Sequence, residues 1–252
     1  MRIDEFLFTK GFFDSRTKAK QAIERGDVFY DDRKVLKASA YVSEDDTAKI
    51  EIKDGEYFVS LGGYKLSKAL KDFGFSVEGL TVADVGASTG GFTDCLIKNG
   101  AKQVYAVDLN DDLLHESLKN NEKVVRIIKN ARNLTATDFS GLDLITADLS
   151  FISAKQVLSV FYNLLPESGK IILLIKPQFE IGEKRRFKNG IIKDEKTVKS
   201  VCRSVYEEAV KVGFSAIDLT DAPRSEDKNT EYLIFLRKDG KNGVDFEKLY
   251  KF

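Results

Sequence analysis

Little cysteine, a single histidine, no net charge and no long apolar run mark this sequence, and each shortage removes a class of function. Two cysteines among 252 residues, Cys95 and Cys202, lie far apart and suit a reducing compartment better than a disulfide framework. The one histidine, His115, sits in the helical stretch "DLLHESL", where a solvated surface position is the plain reading. With so few such side chains no metal site and no nucleophile–histidine triad can be assembled. The longest aliphatic run, "IILLI" at Ile171–Ile175, is far short of the ~20 residues that cross a bilayer. Met1 is followed at once by the charged "RIDE", so no secretory leader is expected, and the expected location is the cytoplasm. The 40 basic and 40 acidic residues cancel, so only the distribution of charge can speak about partners. What the chain does have is core material: 42% apolar residues and 18 phenylalanines exclude global disorder.

Two units emerge along the chain. Residues 1–54 read as a small α+β module. A short helix closes at Gly11, and a second opens at Asp14 or Ser15 and closes at Gly26. A hairpin turning at Asp31-Asp32 follows, then a further alternating strand. Residues 55–66, "GEYFVSLGGYKL", carry Gly62-Gly63 and read as a bridge. Over 67–238 strands and helices alternate, which predicts an α/β domain: a doubly wound, Rossmann-like sheet of seven mostly parallel strands. The final two strands are expected to form an antiparallel edge. The long helix over "EKTVKSVCRSVYEEAVKVG" places Val198, Val201, Val205, Ala209 and Val212 on one core face. Residues 239–252 read as a polar tail.

The stretch "TVADVGASTGGFTDCL" is a strand, a tight turn and a helix, the usual setting for a nucleotide cradle. Its turn, Gly86-Ala87-Ser88-Thr89-Gly90-Gly91, runs into Phe92-Thr93 instead of the Lys-Ser/Thr of a triphosphate loop. Position 88 is serine where the dinucleotide fingerprint has glycine. Asp84, two residues before the first glycine, sits badly beside a pyrophosphate and suits a cationic ligand end, such as the amino group of S-adenosylmethionine. Asp108 closes the next strand, where a carboxylate can accept both ribose hydroxyls of that ligand or of NAD. Leu109 beside it and Asn130-Ala131-Arg132 after the third strand are further candidate cofactor contacts, a plain loop being the alternative for the latter three. The balance favours S-adenosylmethionine.

Four motifs in order, "DVGASTGGFT", "ADLSFIS", "LIKPQFE" and "NTEYLIFL", resemble the TlyA family, also called haemolysin A-like. The leading "RIDEFLFTKGFFDSRTKAKQAIERGDVFYDDRKV" is similar to an S4 RNA-binding module, so the resemblance covers nearly the whole chain. It implies an FtsJ-type catalytic domain behind an S4 domain and 2′-O-methylation of ribose in ribosomal RNA, with cytidine as the nucleoside. It also implies a Lys-Asp-Lys-Glu catalytic set, which falls on Lys65, Asp148, Lys176 and Glu231, with Asp148 touching the cofactor as well. The chain departs from the family at Ser60-Leu61-Gly62, where Ser-Arg-Gly is usual, which removes one expected arginine contact to RNA or between domains. The residues agree independently: Asp148 and Lys176 each end an apolar strand, at the edge where open α/β sheets bind ligands. Lysine is a poor base at its reference pKa of about 10.4, but desolvation and a neighbouring ammonium can lower it. Lys176 is therefore the expected base, oriented by Asp148 and Glu231, with Lys65 steering the hydroxyl.

Residues 1–54 hold eleven Lys/Arg against twelve Asp/Glu, so this unit is not basic as a whole. From Lys10 to Arg25, however, the local charge is +3, from five basic and two acidic residues. Arg2, Ser15, Arg16, Lys18, Lys20 and Arg25 are the candidate phosphate contacts there. A second basic stretch supplies Lys184, Arg185, Arg186 and Lys188 for RNA backbone at the mouth of the catalytic site. The expected partner is ribosomal RNA or a ribosomal subunit, with neither DNA nor membrane. A non-catalytic RNA-binding protein that keeps the fold is the alternative. A cytolysin lacks both a span and a strongly amphipathic basic helix.

Overall fold

The computed structural model describes the chain apart from residues 14, 44, 46–48, 53–57, 111, 182–189, 224–227 and 240–242 and the side chain of Arg25. It divides into two compact units, Met1–Tyr57 and Phe58–Phe252. In the first, helix α1 (Ile3–Thr9) and helix α2 (Arg16–Arg25) pack beside a three-stranded antiparallel sheet. The sheet has β1 (Val28–Tyr30) between β2 (Arg33–Lys34) and β3 (Ile50–Ile52). Ser15 caps α2 by accepting the Lys18 N–H at 3.2 Å, and Gly26 ends it in the left-handed conformation, so both helix signals act as anticipated. Asp31 and Asp32 take φ of 52° and 61°, the positive values that a two-residue hairpin turn needs to match strand twist. Ile3, Phe6, Leu7, Ala19, Ala22, Ile23 and Val28 meet in a core of their own.

In the second unit seven strands form one sheet in the order β6-β5-β4-β7-β8-β10-β9. They are β4 (Thr81–Val85), β5 (Gln103–Asp108), β6 (Val124–Ile128), β7 (Leu144–Ala147), β8 (Lys170–Ile175), β9 (Phe214–Asp221) and β10 (Tyr232–Lys238). Strands β4 to β8 are parallel, and β10 runs against both β8 and β9. The antiparallel edge pair expected from the sequence is present: β9 and β10 pair antiparallel at one end of the sheet, with the reversed β10 as the inner strand and β9 as the outermost. The inner place suits β10 because it is apolar throughout its first five residues, all buried, and an edge would expose one side of it. In β8, Ile171, Leu173 and Ile175 enter one core and Ile172 and Leu174 the other, which is why "IILLI" has no polar alternation.

Helix α3 (Leu61–Asp72) occupies much of the stretch read as a bridge. Its Gly62-Gly63 pair does not punctuate a loop. A Cβ on Gly63 would lie 2.3 Å from Phe58 and 2.9 Å from the Gly91 carbonyl, so the glycine lets α3 approach the start of α4 (Gly91–Lys98). In the stretch "DLLHESL", read as helical, the helix begins only at α5 (Glu116–Lys119), with His115 exposed at its N-cap. Helix α6 (Leu158–Leu164) and α7 (Pro177–Glu180) flank β8, and α8 (Glu195–Val212) buries Val198, Val201, Cys202, Val205 and Ala209, with Val212 partly covered. The tail read as polar contributes α9 (Phe246–Leu249), whose Phe246 and Leu249 are buried. Arg203 covers the Phe246 ring at 4.6 Å, and Lys199 reaches Glu247 at 2.7 Å. Among the described residues no helix is long and apolar enough to cross a membrane.

Candidate active site

Parallel strands end where their carbonyls point, and here three neighbouring strands deliver one site. The turn Gly86–Gly91 follows β4, Asp148 follows β7 and Lys176 follows β8, and these strands are adjacent in the order β4-β7-β8. Between them opens a cleft of about 180 Å³, lined by Gly86, Ala87, Ser88, Thr89, Gly91 and Phe92 from the turn and by Asp148, Ser150 and Lys176 opposite. Ser60 and Gly62 at the start of α3 complete the lining. Ser60, Gly62 and Ser150 lie outside the cofactor and catalytic residues that the motifs predict, although "VSLGG" and "ADLSF" contain them.

The turn is shaped by steric need. Gly86 has φ of +85°, and a Cβ there would lie 2.6 Å from the Asp148 carbonyl oxygen. Ser88 takes φ of +49°, so it adopts the left-handed backbone that the dinucleotide fingerprint gives to glycine. Gly86 and Ala87 donate their N–H groups to the Val107 carbonyl, at 2.8 and 3.1 Å, and Gly90 donates to Ala87 at 2.7 Å. Ser88 donates to Asp108 Oδ2 at 2.8 Å. Four turn donors are therefore already engaged and cannot wrap a phosphate, and Asp148 adds negative charge to the cleft. The cradle fits a ligand without phosphate.

Asp108 also accepts from the Leu109 N–H at 2.7 Å, and its two oxygens thereby fix the turn to the end of β5. Leu109 itself is largely exposed, and Asn130 turns its oxygen back to the Arg132 N–H at 3.0 Å as the cap of its own short turn. Ala131 is buried, and Arg132 reaches Gln156 at 3.4 Å. Asp84 does not line the cleft. It is fully buried and accepts from the Thr93 hydroxyl at 2.6 Å and from Thr146 at 3.2 Å, tying β4 to α4 and β7. Burial, with the Asp148 charge adding to it, pushes its carboxyl up to about 7, although both threonine hydrogen bonds pull the other way.

The four charges of the expected catalytic set form two pairs. Lys176 contacts Asp148 and donates to the Ser150 hydroxyl at 2.8 Å, with the Phe179 ring 5.9 Å from the ammonium. The Lys176–Asp148 contact is an ion pair without hydrogen-bond alignment, since Asp148 Oδ1 is buried and accepts no aligned donor. Lys65, from α3, donates to Glu231 Oε2 at 2.6 Å, and Gln178 lies 3.5 Å from the other oxygen. Glu231 sits beside Lys176 because β10 is reversed: Tyr232 pairs with Ile175, so the residue before one strand neighbours the residue after the other. The expected contact of Glu231 with Lys176 is thus replaced by one with Lys65, and neither Lys65 nor Glu231 lines the cleft.

In the first unit Arg2 and Arg16 converge on Asp4, at 3.0 and 3.1 Å, and Lys20 is exposed, 3.8 Å from Glu24. Lys18 and Arg25 both lie on α2. Lys184, Arg185, Arg186 and Lys188 lie outside the described residues.

A seven-stranded α/β unit with its cleft at a glycine turn, behind a small α+β module, defines a class, and comparison agrees on both parts: residues 58–238 match the FtsJ-like methyltransferase model and residues 1–47 the S4 domain model. The chain belongs to the FtsJ-like methyltransferases, within the S4-bearing TlyA or haemolysin A family. It is 36% identical over 240 residues to the 16S/23S rRNA (cytidine-2'-O)-methyltransferase TlyA of Mycobacterium tuberculosis (strain ATCC 25618 / H37Rv), covering 94% of this chain and 89% of that one. Hemolysin A of Brachyspira hyodysenteriae is 37% identical over 237 residues, 92% of this chain and 98% of its own. A solved structure from Streptococcus thermophilus that carries the hemolysin name superimposes with a TM-score of 0.73 at 33% identity, covering 99% of this chain and 94% of that one.

Proposed function

We propose that this methyltransferase uses S-adenosylmethionine to methylate the ribose 2′-hydroxyl of a cytidine in ribosomal RNA. The observation that carries the reading is the sharing of one cleft by the glycine turn and by Lys176 with Asp148. The turn Gly86–Gly91 would hold the cofactor, with Asp108 on its ribose, and the cofactor supplies an electrophilic methyl group when bound. The relatives' names give the substrate class, and the S4 domain supports RNA as the polymer.

The chain's own contribution is positioning and proton management. Holding the hydroxyl in line is worth up to ~7–11 kcal/mol in favourable cases. Lys176 Nζ is held from two sides, by Asp148 and Ser150, so it has one direction left in which to take the hydroxyl proton. Asp148 then stabilises the ammonium that forms. Lys65 and Glu231 act as a second pair that fixes α3 against the start of β10, and Lys65 steers the substrate only if Glu231 releases it. Arg2, Ser15, Arg16, Lys18, Lys20 and Arg25 would contact RNA backbone.

Two measurements test the reading. Calorimetry should show S-adenosylhomocysteine binding that Asp108→Ala weakens by more than tenfold, and tighter binding of NAD or ATP would overturn the cofactor. Mass spectrometry of ribosomal RNA from cells with and without the gene should show that one or more ribose methyl groups disappear with it. Unchanged methylation would overturn the substrate.

A further inference from the structure

The first unit holds an arrangement that basic residues on a helix do not by themselves predict. Asp4 is buried at 5% exposure, yet it carries two arginines that are not: Arg2 and Arg16 side chains are 42% and 48% exposed. Arg2 donates from Nε to one oxygen at 3.0 Å and from NH2 to the other at 3.1 Å, and Arg16 donates to that second oxygen at 3.1 Å. The carboxylate is itself braced by the Glu5 N–H at 3.0 Å. Two guanidiniums would otherwise repel and scatter among rotamers. One buried anion cancels half their charge, orients both planes and leaves the NH1 groups of both without a bond to Asp4.

A second feature lies alongside. Residues 38–42 are zipped onto the chain start: Ile3 N–H donates to Ala40 at 2.7 Å, Val42 N–H donates to Met1 at 3.0 Å, and Arg2 and Tyr41 form an antiparallel bridge. Residues opposite one another in such a bridge share a face, with Cβ atoms about 4.5–5.5 Å apart. Tyr41 is 80% exposed, an aromatic ring standing on the arginine face with its backbone fixed.

We propose that Asp4 fuses Arg2 and Arg16 into one clamp for a single phosphodiester, and that Tyr41 stacks an unpaired base next to that phosphate. The partner is RNA with a single-stranded loop or bulge. Paired guanidiniums match phosphate oxygens in plane, and a free ring offers a π-face to any base. The proposal rests on the reading of this protein as an RNA methyltransferase and says where and how the first unit grips its substrate.

The test uses the full chain and two RNA probes, a hairpin with an unpaired loop and a blunt duplex, with affinity measured across salt concentrations. Tyr41→Ala should weaken loop binding about 5- to 100-fold and duplex binding by less than twofold, and Tyr41→Phe should restore most of the affinity. Asp4→Asn adds a positive charge to the surface. If charge alone mattered, binding would tighten; the clamp requires it to weaken by at least fivefold. Should Asp4→Asn lower the melting temperature of the chain, Arg2→Lys provides the same reading: affinity falls while the salt slope stays, because a lysine keeps the charge and gives up the two-point geometry. Parental loop affinity in Tyr41→Ala, or tighter binding in Asp4→Asn, would overturn the proposal. If those variants bind as the parent while the parent still methylates ribosomal RNA, only the clamp fails. If the parent neither binds nor methylates RNA, the reading beneath it fails as well.

Discussion

At the scale of single residues, two buried or half-buried charges make opposite demands. Lys176 is in contact with Asp148, which is placed to pair with the ammonium that forms when the lysine takes the hydroxyl proton. Lys176→Ala should therefore abolish methyl transfer, by at least ~10²-fold, while S-adenosylhomocysteine affinity stays within a few-fold. Lys176→Arg should not rescue turnover, because a guanidinium cannot accept the proton. Near-parental turnover of the arginine variant in a single-turnover assay would show that this position places charge. Asp84 makes the other demand. Its carboxyl is pushed from 3.8 to about 7 in the folded chain, mainly by burial. Below about pH 4 both states hold the proton; between about 4 and 7 the folded state holds it more tightly, so the stability it contributes drains away as pH rises, and above 7 the decline is complete. Asp84→Asn carries no such titration. The stability of the parent relative to Asp84→Asn, from urea melts, should fall by roughly 2–4 kcal/mol across that window and be flat on either side. A difference independent of pH would show that Asp84 is ionised throughout.

At the scale of elements, the two glycines that open α3 separate propensity from packing. Gly62 would place a Cβ in ordinary contact, 3.5 Å from Phe92, whereas Gly63 would drive one into Phe58 and the Gly91 carbonyl. Gly62→Ala should leave stability unchanged or raise it by up to ~1 kcal/mol, the ordinary helix gain. Gly63→Ala should cost ~1–3 kcal/mol by overpacking, and thermal melts of the two variants should move in opposite directions. These glycines also mark the limit of what the sequence disclosed. Strands β4, β5, β7 and β8 were legible because each is an apolar run buried on both faces, and the glycine turn because its spacing is shaped by backbone sterics. Helix α3 was not, since two glycines in a first turn look like a loop until the partner they approach is known. The place of β10 inside the sheet depends on pairing between segments more than fifty residues apart, and no local pattern encodes that. The same holds for the site: strand-end residues Asp148 and Lys176 could be named from position, but their division into Lys176–Asp148 and Lys65–Glu231 follows from the reversal of one strand.

At the scale of the whole molecule, positive and negative side chains balance, and affinity for a polyanion must come from local arrangement. The first unit has a one-residue acidic excess over residues 1–54, yet its second helix and approach carry +3. Capture and chemistry should then respond to different variants. Arg16→Ala combined with Lys20→Ala removes two cations from the first unit and touches nothing in the cleft of the second. RNA affinity should fall at low salt, and the slope of log affinity against log salt should shrink by about 0.7–0.9 for each phosphate no longer neutralised. S-adenosylhomocysteine affinity, measured by calorimetry on the same preparation, should be unchanged. Methyl transfer should recover at high RNA concentration, since the defect lies in binding and not in the transition state, so KM for RNA rises while kcat holds. A fall in kcat at saturating RNA would mean that the first unit also orients the reacting ribose, and retention of both affinity and slope would mean that it grips something other than RNA backbone.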